Sequence, residues 1–258
     1  HSQRIAGNDY PLNDHVALAS DLAAIGRRRI PLISFTTLLD YLEGRGGSYP
    51  HTAVVLTCDD GALLDWHDYE HPRFGFQPSF DRILLEHMQQ TYAWQYTSGL
   101  ISSFVIASPE ARQLIDQACY EGARLTTEDW WQPAAESGRW LFGNHSWDHR
   151  HVALLATNRV DDDLGHFHGI TSRERSDGQV LRASRYLAEK IKPEALLPAF
   201  AYPYGHSTAY LSKDYLPGMW HQNGIRAAVT TTTGVVVKRT DRYLITRYPC
   251  GDHWRTPD

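Results

Sequence analysis

The chain has 258 residues with 25 Lys or Arg against 30 Asp or Glu, which gives a formal net charge of -5 at pH 7. This length can bury a sizeable core, and the acidic balance argues against a nucleic-acid partner. No apolar run approaches the ~20 residues that a membrane-spanning helix needs. Because no signal-peptide pattern precedes the first predicted helix, we expect a cytoplasmic protein, or a periplasmic or surface protein if a targeting segment precedes His1 in the natural chain.

The first fifty residues predict two helices. Asn13 and Ser34 each precede apolar residues at helical spacing and are suited to cap a helix, and Gly44 stands where a terminating glycine belongs. We therefore describe residues 1–51 as an N-terminal helical extension of a core that spans about 52–250. The whole chain is expected to form one domain.

Apolar and β-branched stretches predict strands, and helical patterns separate most of them. The predicted strands are 53–58, 100–107, 139–143, 196–201, 225–230, 235–238 and 243–248. This alternation, with no internal linker, favours a single α/β domain with a parallel sheet.

The first predicted strand runs directly into two carboxylates, Asp59 and Asp60, and then Gly61. Neighbouring side chains on a regular strand point to opposite faces, so two acids that serve one site need a backbone bend, which Gly61 permits. Adjacent carboxylates repel each other unless a charge such as a divalent cation neutralises them. The pattern predicts a metal ligand beside a general base, and a surface Asp-Asp-Gly turn is the alternative.

Two histidines, His145 and His149, follow the strand predicted at 139–143. At a spacing of four on a helical turn both imidazoles would lie on one face and could bind one ion, and an incidental pair is the alternative. Asp60, His145 and the Tyr-Pro-Tyr-Gly turn at 202–205 all come directly after predicted strands. In a parallel α/β barrel they would converge on the carboxyl-terminal rim, where active sites lie.

The segment 65–72 is rich in aromatic and histidine residues and has no clear period. Irregular segments of this kind are often functional, so we interpret it as part of the wall of a site. The residues expected to contact substrate are Asp65, His67, Trp147, Pro203, Gly205 and Arg247.

Three motifs together resemble those of the polysaccharide deacetylases, the carbohydrate esterase family four group. Residues 57–61, Thr-Cys-Asp-Asp-Gly, are similar to the Thr-Phe-Asp-Asp-Gly first motif of that family. Residues 145–149, His-Ser-Trp-Asp-His, match the His-Ser/Thr-x-x-His second motif, and residues 200–205, Phe-Ala-Tyr-Pro-Tyr-Gly, resemble the third. The motifs occur in the family's order, and the resemblance spans about 52–250.

The resemblance implies a distorted (β/α) barrel of about seven parallel strands that binds one divalent ion through Asp60, His145 and His149. It implies Asp59 as the general base and the backbone N–H of Tyr204 as the group that stabilises the oxyanion. Two imidazoles and a carboxylate suit zinc, with nickel, cobalt or iron as alternatives. The implied reaction is hydrolysis of N-acetyl groups on an amino sugar of a glycan or glycan precursor of the surface-polysaccharide type, so the implied partner is an N-acetylated carbohydrate.

The chain departs from the family pattern at two places. Many family members carry Arg at the position of Ala201, where it holds the catalytic Asp, so we expect Arg247 to supply this support or the support to be absent. The late motif that bears the general-acid histidine is missing in its usual Leu-x-His form. His206 and His253 are the candidates for the acid, together with His67 and His71.

Two other functions stay open at this point. An amidase acting on a non-sugar amide would use the same site chemistry. A carbohydrate-binding protein that kept the fold and lost catalysis is a second alternative, although retention of both Asp59 and Asp60 argues against it, because a binder gains little from an extra carboxylate that must be neutralised.

Overall fold

Five parallel strands form the central sheet of the computed structural model, which describes residues 4–90, 99–157, 164–251, 254 and 256–257. In chain order the strands are β1 (Leu56–Asp60), β2 (Tyr69–His71), β3 (Gly75–Gln77), β4 (Ile101–Val105), β5 (Trp140–Asn144), β6 (Leu196–Ala201) and β7 (Ala227–Val229). The central sheet has the order β1-β4-β5-β6-β7, and β2 and β3 form a separate antiparallel hairpin.

Helices alternate with the strands along most of the chain. They are α1 (Asp14–Arg27), α2 (Phe35–Glu43), α3 (Phe80–Gln90), α4 (Pro109–Cys119), α5 (Trp131–Glu136), α6 (Arg173–Ser176), α7 (Arg182–Lys190) and α8 (Leu216–Asn223). Stretches of π geometry connect α6 to α7 and precede α8. Among the described residues no helix is both long enough and apolar enough to span a membrane.

Local sequence explains where the first helices begin and end. The Asn13 side chain accepts hydrogen bonds from two backbone N–H groups of α1, and the Ser34 hydroxyl accepts one from Thr37 in α2. Gly44 ends α2 in the left-handed conformation with φ 75°. These caps satisfy backbone groups that a helix terminus leaves open, as the sequence predicted.

The carboxyl ends of the five strands meet at one edge of the sheet because the strands run in the same direction. Asp60 lies beside Val105, and Val105 lies beside Asn144. Residues that directly follow β1, β4 and β5 therefore emerge next to one another, which is the arrangement that active sites of parallel α/β folds use.

Single parallel bridges extend the sheet at both sides, between Leu32 and Val54 and between Val229 and Ile245. The extended sheet is curled into a half-barrel within one α/β domain. The predicted fold class, a distorted parallel barrel, is therefore confirmed.

Apolar side chains cover both faces of the sheet. On one face Trp140 and Phe142 of β5 share a cluster with Phe80 of α3. On the other face Phe104 of β4 meets Phe35 of α2 edge to face, with ring centroids 6.0 Å apart. Strands β4 and β5 are buried along their whole length, so they form a rigid frame beneath the residues at the sheet edge.

Three local predictions need correction. Within 65–72, predicted as irregular, the structure has β2, the first strand of the β2–β3 hairpin. No strand forms at 235–238, where Val235 and Val237 stay 76% and 44% exposed because they have no apolar surface to pack on. At 243–248 only Ile245 pairs with the sheet.

Candidate active site

The backbone bends sharply where β1 ends. Asp60 and Gly61 both have a left-handed conformation, with φ 71° and 76°. A Cβ atom at position 61 would lie 2.5 Å from Cγ1 of Val105, so only glycine fits there. The bend that the sequence predicted brings Asp59 and Asp60 to the same edge of the sheet.

The two histidines of the second motif lie in a loop after β5, which corrects the predicted helical turn. Ser146, His149 and Arg150 have positive φ angles of 70°, 57° and 49°. The Asn144 side chain accepts the N–H of Ser146 at 2.8 Å, and the Ser146 hydroxyl accepts the N–H of His149 at 2.9 Å. These bonds hold a strained loop, and strain of this kind is characteristic of functional sites.

Asp60, His145 and His149 form a compact group of potential metal ligands. Oδ1 of Asp60 lies 3.5 Å from Nε2 of His145 and 3.7 Å from Nε2 of His149, too far for hydrogen bonds. Ligand atoms ~2.0–2.2 Å from a four-coordinate zinc ion lie ~3.3–3.6 Å apart. The separation of 3.5 Å falls within this range and that of 3.7 Å lies just above it. The three residues are a candidate metal site.

The surroundings keep the two imidazoles suited to bind a cation. Nδ1 of His145 donates to the carbonyl of Ala201 at 2.9 Å, which leaves the Nε2 lone pair facing Asp60. Burial, together with the neighbouring His145 and His151, holds the pKa of His149 well below its ordinary value. His149 is therefore neutral near pH 7, as a metal-binding histidine must be.

Asp59 is held by Arg247. The guanidinium donates two parallel hydrogen bonds of 2.8 and 2.7 Å to the Asp59 carboxylate, and Nε of Arg247 donates to the carbonyl of Thr230 at 2.9 Å. Burial raises the pKa of Asp59, but the charges of Arg247 and His145 outweigh this and lower it to about 2. The support that many deacetylases obtain from Arg at the third motif comes here from a residue 188 positions after Asp59.

Asp60 has the opposite electrostatic environment. Half of its side-chain surface faces the cleft, but protein atoms crowd the rest. Burial raises the pKa of Asp60 despite the opposing effect of His145, and the charge of Asp59 adds to the rise. A cation at this position would stabilise the ionised carboxylate.

The third motif lies beside the candidate metal site. Tyr204 has φ 58° and its ring packs 4.4 Å from the ring of His149. Gly205 has φ 72°, and a side chain there would collide with Thr231. Pro203 is buried at the start of this turn. The structure thus brings Pro203, Tyr204 and Gly205 next to the predicted ligands, while their catalytic and binding roles stay predictions.

The predicted acid His206 belongs to a neighbouring cluster. Its ring is stacked on that of His168 at 3.9 Å and lies 5.6 Å from the ring of Tyr204. Burial, and then His168 and His166, lower the pKa of His206. The other predicted acid, His253, lies outside the described residues.

Three residues predicted to contact substrate line neither of the two cavities beside Asp59 and Asp60. Asp65 is completely buried and accepts a hydrogen bond of 3.0 Å from Ser103, so it is out of reach of a substrate and that prediction is corrected. Trp147 packs against Arg182, whose guanidinium carbon lies 3.6 Å from the centroid of the Trp147 ring. His67 is exposed and lines neither of the two cavities that flank the site.

Two cavities of about 620 and 730 Å³ flank the paired carboxylates. Asp59 and Arg247 line the first, and Asp60 lines the second. Arg4, near the N-terminus, lines both.

Sequence reasoning missed several residues near the site. Tyr120 lines the second cavity, and the charge of Asp60 adds to the effect of burial in raising its pKa. His151 is half-buried, and the Asp60 charge opposes the lowering of its pKa by burial. Arg4 and Tyr120 belong to no motif, so no local signal could have identified them. His151 lies two residues after the second motif, and that proximity was the one available signal.

Solved structures share this architecture over most of the chain. A de-N-acetylase from Aggregatibacter actinomycetemcomitans matches with a TM-score of 0.58 and 15% identity, covering 90% of this chain and 83% of that one. IcaB from Ammonifex degensii matches with a TM-score of 0.56 and 18% identity, covering 96% and 92%. The chain has the fold of the polysaccharide deacetylases.

Streptococcus pyogenes deacetylase PplD, solved in complex with acetate, has the same deacetylase fold, with a TM-score of 0.56, 15% identity and coverage of 93% of this chain and 82% of that one. No sequence-family model matches the chain, and no curated protein does. The relationship to the deacetylases is therefore one of fold, which the motif resemblance had predicted.

Proposed function

We propose that this chain is a metal-dependent hydrolase that removes N-acetyl groups from an amino sugar in a glycan or glycan precursor. The observation that carries the proposal is the Asp60, His145 and His149 group, set directly beside the ion-paired Asp59 at the edge of the sheet. A structural metal site, which only stabilises the fold, would not need a second ionised carboxylate beside it. The deacetylase fold supports the same reaction class.

Asp60, His145 and His149 would hold the ion, and zinc, nickel, cobalt or iron suit this donor set. A divalent ion supplies Lewis acidity in such a site, because it acidifies a water molecule and polarises a carbonyl oxygen. The open face of Asp60, half exposed, leaves room for both next to the protein ligands.

Asp59 accepts the proton of the attacking water in this proposal. With a pKa of about 2, Asp59 is ionised throughout the physiological range and ready to accept a proton. Such a weak base removes protons only from water that is strongly acidified, which explains why base and metal ligand are adjacent residues. Arg247 fixes the carboxylate in one orientation through two hydrogen bonds.

Negative charge develops on the amide oxygen during the attack. We assign the backbone N–H of Tyr204 to stabilise it, because the left-handed turn of residues 203–205 lies against the ring of His149.

The leaving amine also needs a proton. His206 and His253 remain the proposed donors, and His206→Ala and His253→Ala can be compared side by side, since only loss of the true donor should alter the alkaline limb of the pH–rate profile.

The second cavity suits an N-acetylated sugar ring. It measures about 730 Å³, opens at Asp60 and is lined by the aromatic rings of Tyr69, Phe74 and Tyr120. Aromatic rings offer apolar faces to the C–H faces of sugars, and their polar tips reach hydroxyl groups. This lining supports a carbohydrate over a simple aliphatic amide.

The decisive experiment combines metal analysis with acetate release. Protein purified without chelator should contain about one equivalent of a divalent metal and should release acetate from at least one N-acetylated oligosaccharide in a panel. Metal without acetate release from any sugar, but with hydrolysis of small N-acetyl amides, would favour the non-sugar amidase. Absence of metal after zinc or cobalt has been supplied would overturn the site.

A further inference from the structure

His71 stands at the tip of the β2–β3 hairpin and lines the same cavity as Asp60. Its Nδ1 atom lies 3.1 Å from the backbone nitrogen of Arg73 and 3.2 Å from that of Phe74. A backbone N–H can only donate, so Nδ1 accepts both hydrogen bonds and carries no proton. The proton of the neutral imidazole is therefore on Nε2.

Such an imidazole is unsuited to act as an acid. An imidazolium carries a proton on both nitrogens, and a proton on Nδ1 would face the two N–H groups of Arg73 and Phe74. These hydrogen bonds argue against His71 as the general acid. In this tautomer His71 offers an N–H donor, since its Nε2 has no hydrogen-bond partner among the described residues.

Side chains outside the hairpin hold the turn that orients His71. The carbonyl of Phe74 accepts hydrogen bonds from Asn8 at 3.0 Å and from Gln77 at 3.1 Å. Gln77 in turn accepts a hydrogen bond of 2.6 Å from Asn13 at the start of α1. Residues near the N-terminus therefore hold the hairpin, which fixes the orientation of the His71 ring before any ligand binds.

We propose that His71 is a substrate-positioning residue that donates a hydrogen bond from Nε2 to a hydroxyl or acetamido oxygen of an N-acetylated sugar in the second cavity. The rings of Phe74 and Tyr69 lie 4.7 and 5.8 Å from the His71 ring, so two aromatic rings lie beside the imidazole. The charged side chains that line this cavity are Arg4, Arg73, Asp60 and Glu121. The inference rests on the proposed function because it assumes that the amino sugar occupies this cavity.

Two substitutions separate the donor from the acceptor of the imidazole. His71→Asn keeps an acceptor at the position of Nδ1, and so the turn, but its shorter side chain places no donor at the position of Nε2. His71→Gln places an amide N–H close to the position of Nε2. We expect His71→Asn to raise KM for N-acetylated chitotetraose about 10-fold with kcat nearly unchanged, and His71→Gln to recover part of the loss. The pH–rate profile should not move in either variant.

His51→Asn is the matched control, because His51 is exposed and lines neither cavity. Thermal unfolding of each variant tests for a purely structural role. Wild-type KM in His71→Asn would overturn the inference, as would a loss of kcat together with the alkaline limb of the profile, which would make His71 an acid after all. Equal losses in both variants with a lowered Tm would also overturn it, because they would indicate a role in the hairpin alone.

Failure of the proposed function gives a different result. If the zinc-loaded wild type releases no acetate from any sugar, the deacetylase proposal fails, and calorimetric titration with chitotetraose then tests His71 separately. Binding that weakens about 10-fold in His71→Asn but not in His51→Asn would support the positioning role without catalysis. Equal binding by wild type and His71→Asn would overturn it.

Discussion

Asp59 and Asp60 are adjacent, chemically identical residues with opposite electrostatic environments. The pKa of Asp59 falls to about 2 because Arg247 and His145 outweigh the effect of burial. The pKa of Asp60 rises because burial dominates, and no arginine among the described residues forms an ion pair with it. The difference teaches that the groups around a carboxylate, and not the residue type, set its pKa. The protein itself stabilises the ionised form of Asp59, whereas the ionised form of Asp60 would be stabilised by a bound cation.

This contrast assigns the two residues different tasks in the proposed reaction. A carboxylate that the protein already neutralises has no need of the ion and is available for proton transfer. A carboxylate that faces two imidazoles completes a metal site. Substitutions that affect one carboxylate and spare the other test this division.

The largest expected effect is loss of the ion in Asp60→Ala. The variant should retain less than about a tenth of an equivalent of metal and should release no acetate, because two imidazoles without a carboxylate bind divalent ions weakly. Elemental analysis after dialysis against zinc measures the metal, with Asp129→Ala as a control for an exposed carboxylate. A full equivalent of metal in Asp60→Ala would show that the ligand assignment is wrong.

Asp59→Asn should produce the reverse pattern. We expect about one equivalent of bound metal and a loss of turnover of about 100- to 10,000-fold, because the amide cannot accept a proton. Metal content and acetate release are measured on the same preparation, so that the two losses can be compared directly. Near-normal turnover would remove Asp59 from the role of base.

Arg247→Gln should raise the pKa of Asp59, so that burial dominates there as it does at Asp60. Without the guanidinium, burial is no longer outweighed, so the pKa of Asp59 rises and the carboxylate becomes protonated at a higher pH. The acid limb of the pH profile of kcat/KM should then move to higher pH by about one unit or more. Arg242→Gln, which breaks an exposed pair with Glu43, is the control and should leave the limb in place.

The same pair should contribute to stability in a pH-dependent way. Because the folded-state pKa of about 2 lies below the value of ~3.9 in unfolded chains, the stabilisation is present above about pH 4 and is lost as the pH falls through about 2. At pH 7 the free energy of unfolding should be about 2 kcal/mol higher in wild type than in Arg247→Gln. Urea titrations with chelator at pH 7 and pH 3 should show this difference shrinking; a constant difference would contradict the linkage.

The smallest expected effect is that of Tyr204→Phe. Within the described part of the chain the phenol makes one long hydrogen bond, of 3.4 Å to the carbonyl of Arg150, and the proposed role belongs to the backbone N–H. Acetate release should therefore stay within about 3-fold of wild type and the metal content should not change. A loss of a hundredfold or more would move the role from the backbone to the phenol.

Local patterns predicted the parts of the fold that depend on near neighbours. The caps at Asn13 and Ser34, the terminating Gly44, and the strand from Leu196 to Ala201 follow from hydrogen bonding and apolar periodicity within a few residues. The exposed Val235 shows where the same reasoning failed, because a β-branched stretch becomes a strand only if a neighbouring edge is available to pair with it.

The site was predicted less completely. The convergence of Asp60, His145 and His149 could be predicted because each follows a strand, and parallel strands end at one edge. The burial of Asp65 could not be predicted, since it depends on Ser103 in a strand 38 positions away. The helical turn expected around His149 was wrong because Ser146 and Asn144 hold the loop in another conformation.

The sequence by itself determined the parallel α/β architecture, the three motifs and the bend at Gly61, because these depend on residue types and short spacings. Only the tertiary structure decided that Arg247 would neutralise Asp59 and that Nδ1 of His71 would accept two backbone hydrogen bonds. Both depend on contacts that folding brings together: an ion pair across 188 positions, and a hairpin turn held by Asn8 near the N-terminus. The charge state of a side chain depends on the groups packed around it, and that information becomes available only when the chain has folded.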